Sequence, residues 1–212
     1  AKYDEWKDTD VVEIATYFLD GVMEEFIVKT NGKEAMKRTH KHAKKGRALG
    51  LGIMGWHTFL QKKNLPFNSI ASTAWTHTIM SKIRNEAEAA SRQLAQEYGE
   101  PLWCKGTGMR NTHVLAIAPT VSNSRIGGCS AGIEPQPANV YTFNGAKGTF
   151  IVKNKELEKL LIEKGKNTNK IWDQILADAG SIQNLPNDIL SEEEKEVFLT
   201  FAETNQLELV RQ

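Results

Sequence analysis

Residues 119 to 135 read PTVSNSRIGGCSAGIEP and bring together hydroxyls, an amide, three glycines, a thiol and a carboxylate. Pro119 closes the apolar run Val114 to Ala118, and Thr120, Ser122, Asn123 and Ser124 follow, so Thr120 to Ser124 read as the opening turn of a short helix. Free N–H groups and the positive end of the helix dipole lie at such a turn. It can hold a phosphate through backbone donors and the hydroxyls of Thr120 and Ser122. Ligands of α/β sheets also sit beyond the carboxyl ends of strands. The same residue types cap helices that bind nothing, and composition leaves both readings open.

The other reactive groups make weaker cases. A nucleophilic cysteine needs a histidine or another neighbour that lowers its pKa, and the sequence names none for Cys129, which reads as a small packing residue. Cys104, in PLWCKGTG, reads as a loop or packing residue. Glu134 is a candidate acid by proximity alone and serves equally as a structural carboxylate. His40, His42, His57, His77 and His113 form no pair at metal-ligand spacing, so no metal and no catalytic residue is expected in this chain. The glycines of GLG (50–52) and GIMG (52–55) match neither a dinucleotide fingerprint nor a P-loop, and are read as sites of close backbone packing.

Bulk composition narrows the partners. Lys and Arg number 27 against 26 for Asp and Glu, and the net charge of +1 gives no field that draws nucleic acid or a membrane surface. The basic run from Lys37 to Arg47 lacks interleaved aromatics and reads as a solvated helix face. No apolar run reaches the roughly eighteen residues of a spanning helix, and the charged start AKYDEWKDTD is unlike a signal peptide. Two cysteines are too few for a disulfide scaffold and suit a reducing compartment, so a cytoplasmic location is expected.

The elements that must position the loop follow from periodicity. Val11, Ile14, Phe18, Val22 and Phe26 predict a helix over 10–28, with Asp10 and Glu13 spaced as a capping box. A short helix is expected over 33–45, and another begins near Trp56. Asn68 or Ser69 starts a long helix with the stripe Trp75, Ile79, Ile83, Ala87, Ala90, Leu94 and Tyr98, which ends at Gly99-Glu100-Pro101. Thr112 to Ala118 reads as a strand covered on both faces. Extended stretches at 139–143 and 148–152 precede helices near 154–164, 168–180 and 191–212, the last opened by the capping box Ser191 and Glu194. Val197, Phe201, Leu207 and Val210 still read as core-facing in that last helix, so the chain is expected to be part of something longer.

Taken together, RALGLGIMGWHTFL, the long alanine-rich helix, GMRNTHVLAIAPT, SNSRIGGCSAGIEP, NVYTFNGAKGTFIVKN and GSIQNLP resemble the large chain of a class I ribonucleotide reductase, closest to phage-type members. The resemblance runs from about Arg47 to the end, and less distinctively over the first forty residues. It implies an α/β fold: a helix-rich fragment of the family's ten-stranded α/β barrel, with residues 1–212 part of one catalytic domain and no separate second domain. It implies reduction of ribonucleoside diphosphates through a thiyl radical, with the radical cysteine lying outside this chain. Pro119, Thr120, Val121, Ser122 and Asn123 match the stretch that binds the substrate diphosphate, and Ala118 a position near the substrate. It further implies no cofactor on this piece. The partners would be the remainder of the large subunit, a metal-containing, radical-generating small subunit, a dithiol reductant and the substrate. The alternative is a non-catalytic interaction or structural piece that completes a split large subunit.

Overall fold

The computed structural model describes residues 2–146 and 148–211. Its helices in chain order are α1 (Tyr3–Trp6), α2 (Val11–Thr30), α3 (Lys37–Gly46), α4 (Trp56–Lys62), α5 (Ile70–Tyr98), α6 (Val121–Gly127), α7 (Lys155–Glu163), α8 (Asn169–Ala177), α9 (Glu192–Val197) and α10 (Gln206–Arg211). Strands β1 (Val140–Gly145) and β2 (Gly148–Lys153) lie between α6 and α7 and form the two-stranded sheet. The chain folds as two compact units, one from Lys2–Gly52 with His77–Ala118, the other from Ile53–Thr76 with Pro119–Gln212.

In the first unit the middle of the expected α5 stripe is buried: Ile79, Ile83, Ala87, Ala90 and Leu94 join Val12, Ile27, Leu49, Cys104 and Val114, whereas Tyr98 at the end of the stripe is 66% exposed. Full burial of each large aliphatic side chain contributes about 1.5–3 kcal/mol. The start of α5 is fixed by Ser69, whose Oγ accepts from the Ser72 amide at 3.1 Å.

Helix α2 departs from its sequence pattern. Val11, Ile14, Phe18 and Val22 are 43–68% exposed, whereas Val12, Thr16, Asp20, Ile27 and Thr30 face inward. The expected Asp10–Glu13 capping box is absent, since Asp10 makes no side-chain cap bond. What turns the polar face inward is an ionic cluster. Asp20 receives Arg47 Nε at 3.0 Å, Arg110 Nε at 3.0 Å and Asn111 Nδ2 at 2.8 Å, while Arg47 Nη1 also reaches Glu24. Arg47 is therefore not part of a solvated basic face; it is 5% exposed at the C-terminal cap of α3.

The strand expected over Thr112 to Ala118 is reduced to one parallel bridge, Leu51↔Leu115. The amides of Leu49 and Leu51 donate to the carbonyls of His113 and Val114, and that of Ala116 to Leu51, so the segment is extended but paired over a few residues only. Nor are both faces covered: Val114 is buried, while Ile117 is 72% exposed. Gly50 and Gly52 permit this approach. A Cβ on Gly50 would come within 2.9 Å of the Ala116 Cβ, and one on Gly52 within 2.4 Å of the Ala116 carbonyl oxygen.

In the second unit β1 and β2 pair antiparallel from Val140↔Lys153 to Gly145↔Gly148. Val140 joins Leu157, Leu161, Ile171, Trp172, Ile175, Ile182, Leu185, Leu190, Val197 and Phe198 in a core fed by α7, α8, α9 and the segments after them. Asn154 caps α7, Thr168 caps α8, and Ser191 with Glu194 forms the predicted capping box of α9. The single helix expected over 191–212 is broken: α9 stops at Val197, and α10 begins only at Gln206. Thr200 to Thr204 fill the gap, where the Glu203 carboxylate accepts from the Thr200 amide and hydroxyl, both at 2.7 Å. Val197 is buried, whereas Leu207 and Val210 are exposed.

Candidate functional site

Pro119 to Asn123 lie in the second unit as the entry to α6, and all but half-buried Thr120 are exposed. Ala118, the preceding residue, is exposed and belongs to the other unit. Thr120 is the residue before the helix, with φ +41° and ψ +27°, the left-handed region that β-branched residues seldom enter. A Thr at this position ordinarily turns its hydroxyl onto the helix amides. Here it does not. Thr120 Oγ1 accepts from the Gly132 amide at 2.7 Å and makes no cap bond.

The first three amides of α6, those of Val121, Ser122 and Asn123, therefore meet neither an intrahelical carbonyl nor the Thr120 side chain. The helix itself begins with the Ser124 amide donating to the Thr120 carbonyl at 2.9 Å. It ends at Gly128, whose φ of +62° lets the Cys129 amide return to the Ser124 carbonyl at 3.0 Å.

The return segment after the helix is fastened to α4. The amides of Gly55 and Trp56 donate to the carbonyls of Ser130 and Gly132. Thr58 and Ser130 exchange two bonds: the Ser130 amide donates to Thr58 Oγ1 at 2.8 Å, and the Thr58 amide to Ser130 Oγ at 3.2 Å. Gly132 then donates to Thr120, so the conformation of the loop is set from behind by residues of GWHT.

His57 completes the support. Its Nδ1 accepts from the Gln136 amide at 2.9 Å, which leaves the ring proton on Nε2 to donate to the Val197 carbonyl at 3.2 Å. Burial pushes its pKa down to about 4, so the ring is neutral at pH 7 and acts as a fixed strut.

The remaining candidates separate clearly. Cys104 is buried, and burial followed by the nearby Glu100 carboxylate pushes its thiol pKa up, away from a nucleophile. Cys129 is half-buried beside Gly127 and Gly128. Glu134 is exposed. Among the described residues no group of three or more His, Cys, Asp or Glu side chains is placed to hold a metal ion, and no helix is long and apolar enough to cross a membrane. Thr58, Ser130, Gly132 and His57 support the loop without belonging to any motif that marks them for it. Their only signal in the sequence is the glycine-rich lead into Trp56.

The chain is 44% identical, at a TM-score of 0.90, to the Actinobacillus ureae class Id ribonucleotide reductase alpha subunit, an overlap of 99% of this chain and 38% of that one. It is 38% identical over 208 residues to the ribonucleoside-diphosphate reductase large subunit of Invertebrate iridescent virus 6, covering 96% of this chain and 22% of the relative. It is 35% identical over 212 residues to the putative large subunit of Frog virus 3, covering 37% of that relative. The chain thus spans between about a fifth and two fifths of the length of these proteins, and its helices with their small, unclosed sheet are a portion of a larger barrel. The model of the ribonucleotide reductase barrel domain matches residues 1–106 and 103–212, and the chain belongs to that family.

Proposed function

We propose that this chain serves as part of a ribonucleoside-diphosphate reductase large subunit, an oxidoreductase, and that it supplies the loop holding the substrate's phosphates. The observation that carries the reading is the uncapped start of α6. Three consecutive amides, of the exposed residues Val121, Ser122 and Asn123, are spared by the Thr120 hydroxyl, which is engaged with Gly132. A helix start left open in this way favours an anion through its N–H groups and dipole. The Thr120 hydroxyl accepts one bond and still has its proton to give, and Ser122 offers a second O–H.

In this role the chain binds and orients. Pro119 sets the chain direction into the turn, Thr120 fixes it, Val121 to Asn123 donate, and Ala118, next to them in sequence, is the position near the substrate. The radical cysteine, the dithiol reductant and the metal-bearing small subunit belong to other parts of the assembly, so the chain alone reduces nothing.

Titrating the isotopically labelled chain with a ribonucleoside diphosphate and with pyrophosphate tests this. Amide resonances of Val121, Ser122 and Asn123 are expected to move in a saturable manner with both. Saturable shifts confined to other residues, or none at all, would sink the assignment.

A second reading, that the chain acts as an interaction piece completing a split subunit, draws on the apolar exposure of Val11, Ile14, Phe18 and Val22 on α2. Mixing the chain with a polypeptide that carries the rest of the barrel separates the two. Restored reduction supports assembly into a working subunit, whereas stable association without reduction favours the purely structural role.

A further inference from the structure

A cavity of about 650 Å³ opens in the second unit between α6 and the β1–β2 hairpin, and the phosphate-binding reading makes no use of it. Its size is in the range of small-molecule sites. Its apolar wall follows from strand register. Tyr141 pairs with Val152 and Phe143 with Phe150, and since residues two apart share a face, all four side chains stand on the same side of the hairpin. Facing them, α6 contributes Val121, Ser124 and Arg125, at the three- and four-residue spacing that shares one helix face, followed by Gly128.

The charges around this cavity are unbalanced. Arg125, Lys153 and Lys155 line it, and among the described residues none of the three has a carboxylate partner. Glu156, the acid in the wall, is taken by Lys159 at 3.1 Å. Arg125 rests instead on the face of Phe143, 4.3 Å from its centroid, and Lys153 lies 4.7 Å from that of Trp172. Lys155 Nζ lies close over Gly128, where an added Cβ would meet it at 2.6 Å.

We propose that this cavity is a second ligand site, for a small organic anion carrying a flat ring: the ring lies along Tyr141 and Phe150, beside the Phe143 face that Arg125 covers, and the negative charge meets Arg125 and Lys155. Cations without acids, set over an aromatic wall, complement both halves of such a ligand, whereas a bare inorganic anion leaves the aromatic surface unused and a neutral ring leaves the cations unused.

Phenyl phosphate is the probe, with inorganic phosphate and phenol as controls. Calorimetry and amide shifts on the 212-residue chain are expected to show phenyl phosphate saturating one site, with shifts at Gly128 and in β1 and β2. Each control should bind about tenfold more weakly or worse, as fits the loss of a charge-assisted hydrogen bond or of ring burial. Arg125 and Lys155 are exposed, so Arg125→Gln and Lys155→Gln keep the fold, which circular dichroism verifies. Each should weaken phenyl phosphate about tenfold or more, the value of one hydrogen bond to a charged group. The proposal is overturned if phenyl phosphate does not saturate, if phenol binds as well, or if the double variant binds unchanged. Shifts limited to the amides of Val121 to Asn123 would also overturn it while leaving the phosphate loop standing.

Discussion

The two units solve the same problem, a polar cluster buried in the interior, with opposite chemistry. Around Asp20 the cluster is ionic: two guanidinium groups and an amide converge on one carboxylate, with Glu24 behind Arg47. Burial by itself would raise the Asp20 pKa, and the hydrogen bonds from Arg47, Asn111 and Arg110 outweigh it and hold the carboxyl below its usual range. Around Asn139 every member is neutral. Its Nδ2 donates to the carbonyls of Phe198 and Gly180, its Oδ1 accepts from Asn154, Asn154 also donates to Gln61, and His57 is kept uncharged nearby on α4. An ionic cluster draws its members from distant segments by strong attraction but is vulnerable to the loss of any one charge. A neutral cluster relies on geometry and is vulnerable to the arrival of a charge.

The sharpest way to break the contrast is to remove the central acid. Asp20→Ala leaves Arg47 and Arg110 buried without their main partner and is expected to destabilise the chain by about 3–5 kcal/mol, read from the denaturation midpoint. A loss below about 1 kcal/mol, typical of a solvent-exposed pair, would show that the cluster behaves as a surface one.

Acid should act first on the other unit. The folded pKa of His57, near 4, lies below its unfolded value of about 6.5, so the unfolded state binds more protons between the two. Its contribution is fully present above pH 6.5 and fades as pH falls toward 4, amounting to about 3 kcal/mol. Asp20, whose folded pKa is lowered, keeps its contribution above the ordinary carboxylate range and loses it only as pH falls through that lower folded value. Stability measured from pH 7 to 4 should therefore decline, and His57→Gln should flatten that decline. An equal slope in the variant would remove His57 as the cause.

The smallest effect belongs to the amide cluster. Asn139→Ala strands the Phe198 carbonyl and takes one acceptor from the Asn154 side-chain amide, while the Gly180 carbonyl keeps the backbone amide of residue 139, and a loss of about 2 kcal/mol is expected, within the range for unsatisfied buried groups. The loss should be insensitive to salt, since no charge is involved.

What the sequence revealed depended on how far apart the partners lie. The stripe of α5, buried from Ile79 to Leu94 though not at Tyr98, and the capping box at Ser191 and Glu194 are local, three or four residues from cause to effect, and both follow the sequence pattern. The stripe on α2 misleads because the inward face carries Thr16 and Asp20, and Asp20 makes sense only with Arg47, Arg110 and Asn111, up to 91 residues away. The strand at Thr112 to Ala118 is misread for a related reason: β-propensity marks a segment able to pair, not one that has a neighbour along its length. At the candidate site the exposed amides of the helix start were legible in the order Pro, Thr, Val, Ser, Asn. The clamp that leaves them uncapped was not, since Gly132, Ser130 and Thr58 come from 12 to 72 residues apart.

Gly50 and Gly52, side by side with the same alanine, are not equivalent in what the chain can exchange for them. At Gly50 the obstacle is the Ala116 methyl, a side chain, so an alanine at 50 is compatible with a glycine at 116 and the two positions can trade places over evolutionary time. At Gly52 the obstacle is the Ala116 carbonyl oxygen, part of the main chain that every residue type shares. No partner substitution removes it. Among relatives that keep this approach of the two segments, position 50 should covary with 116, whereas position 52 should remain glycine whatever stands opposite.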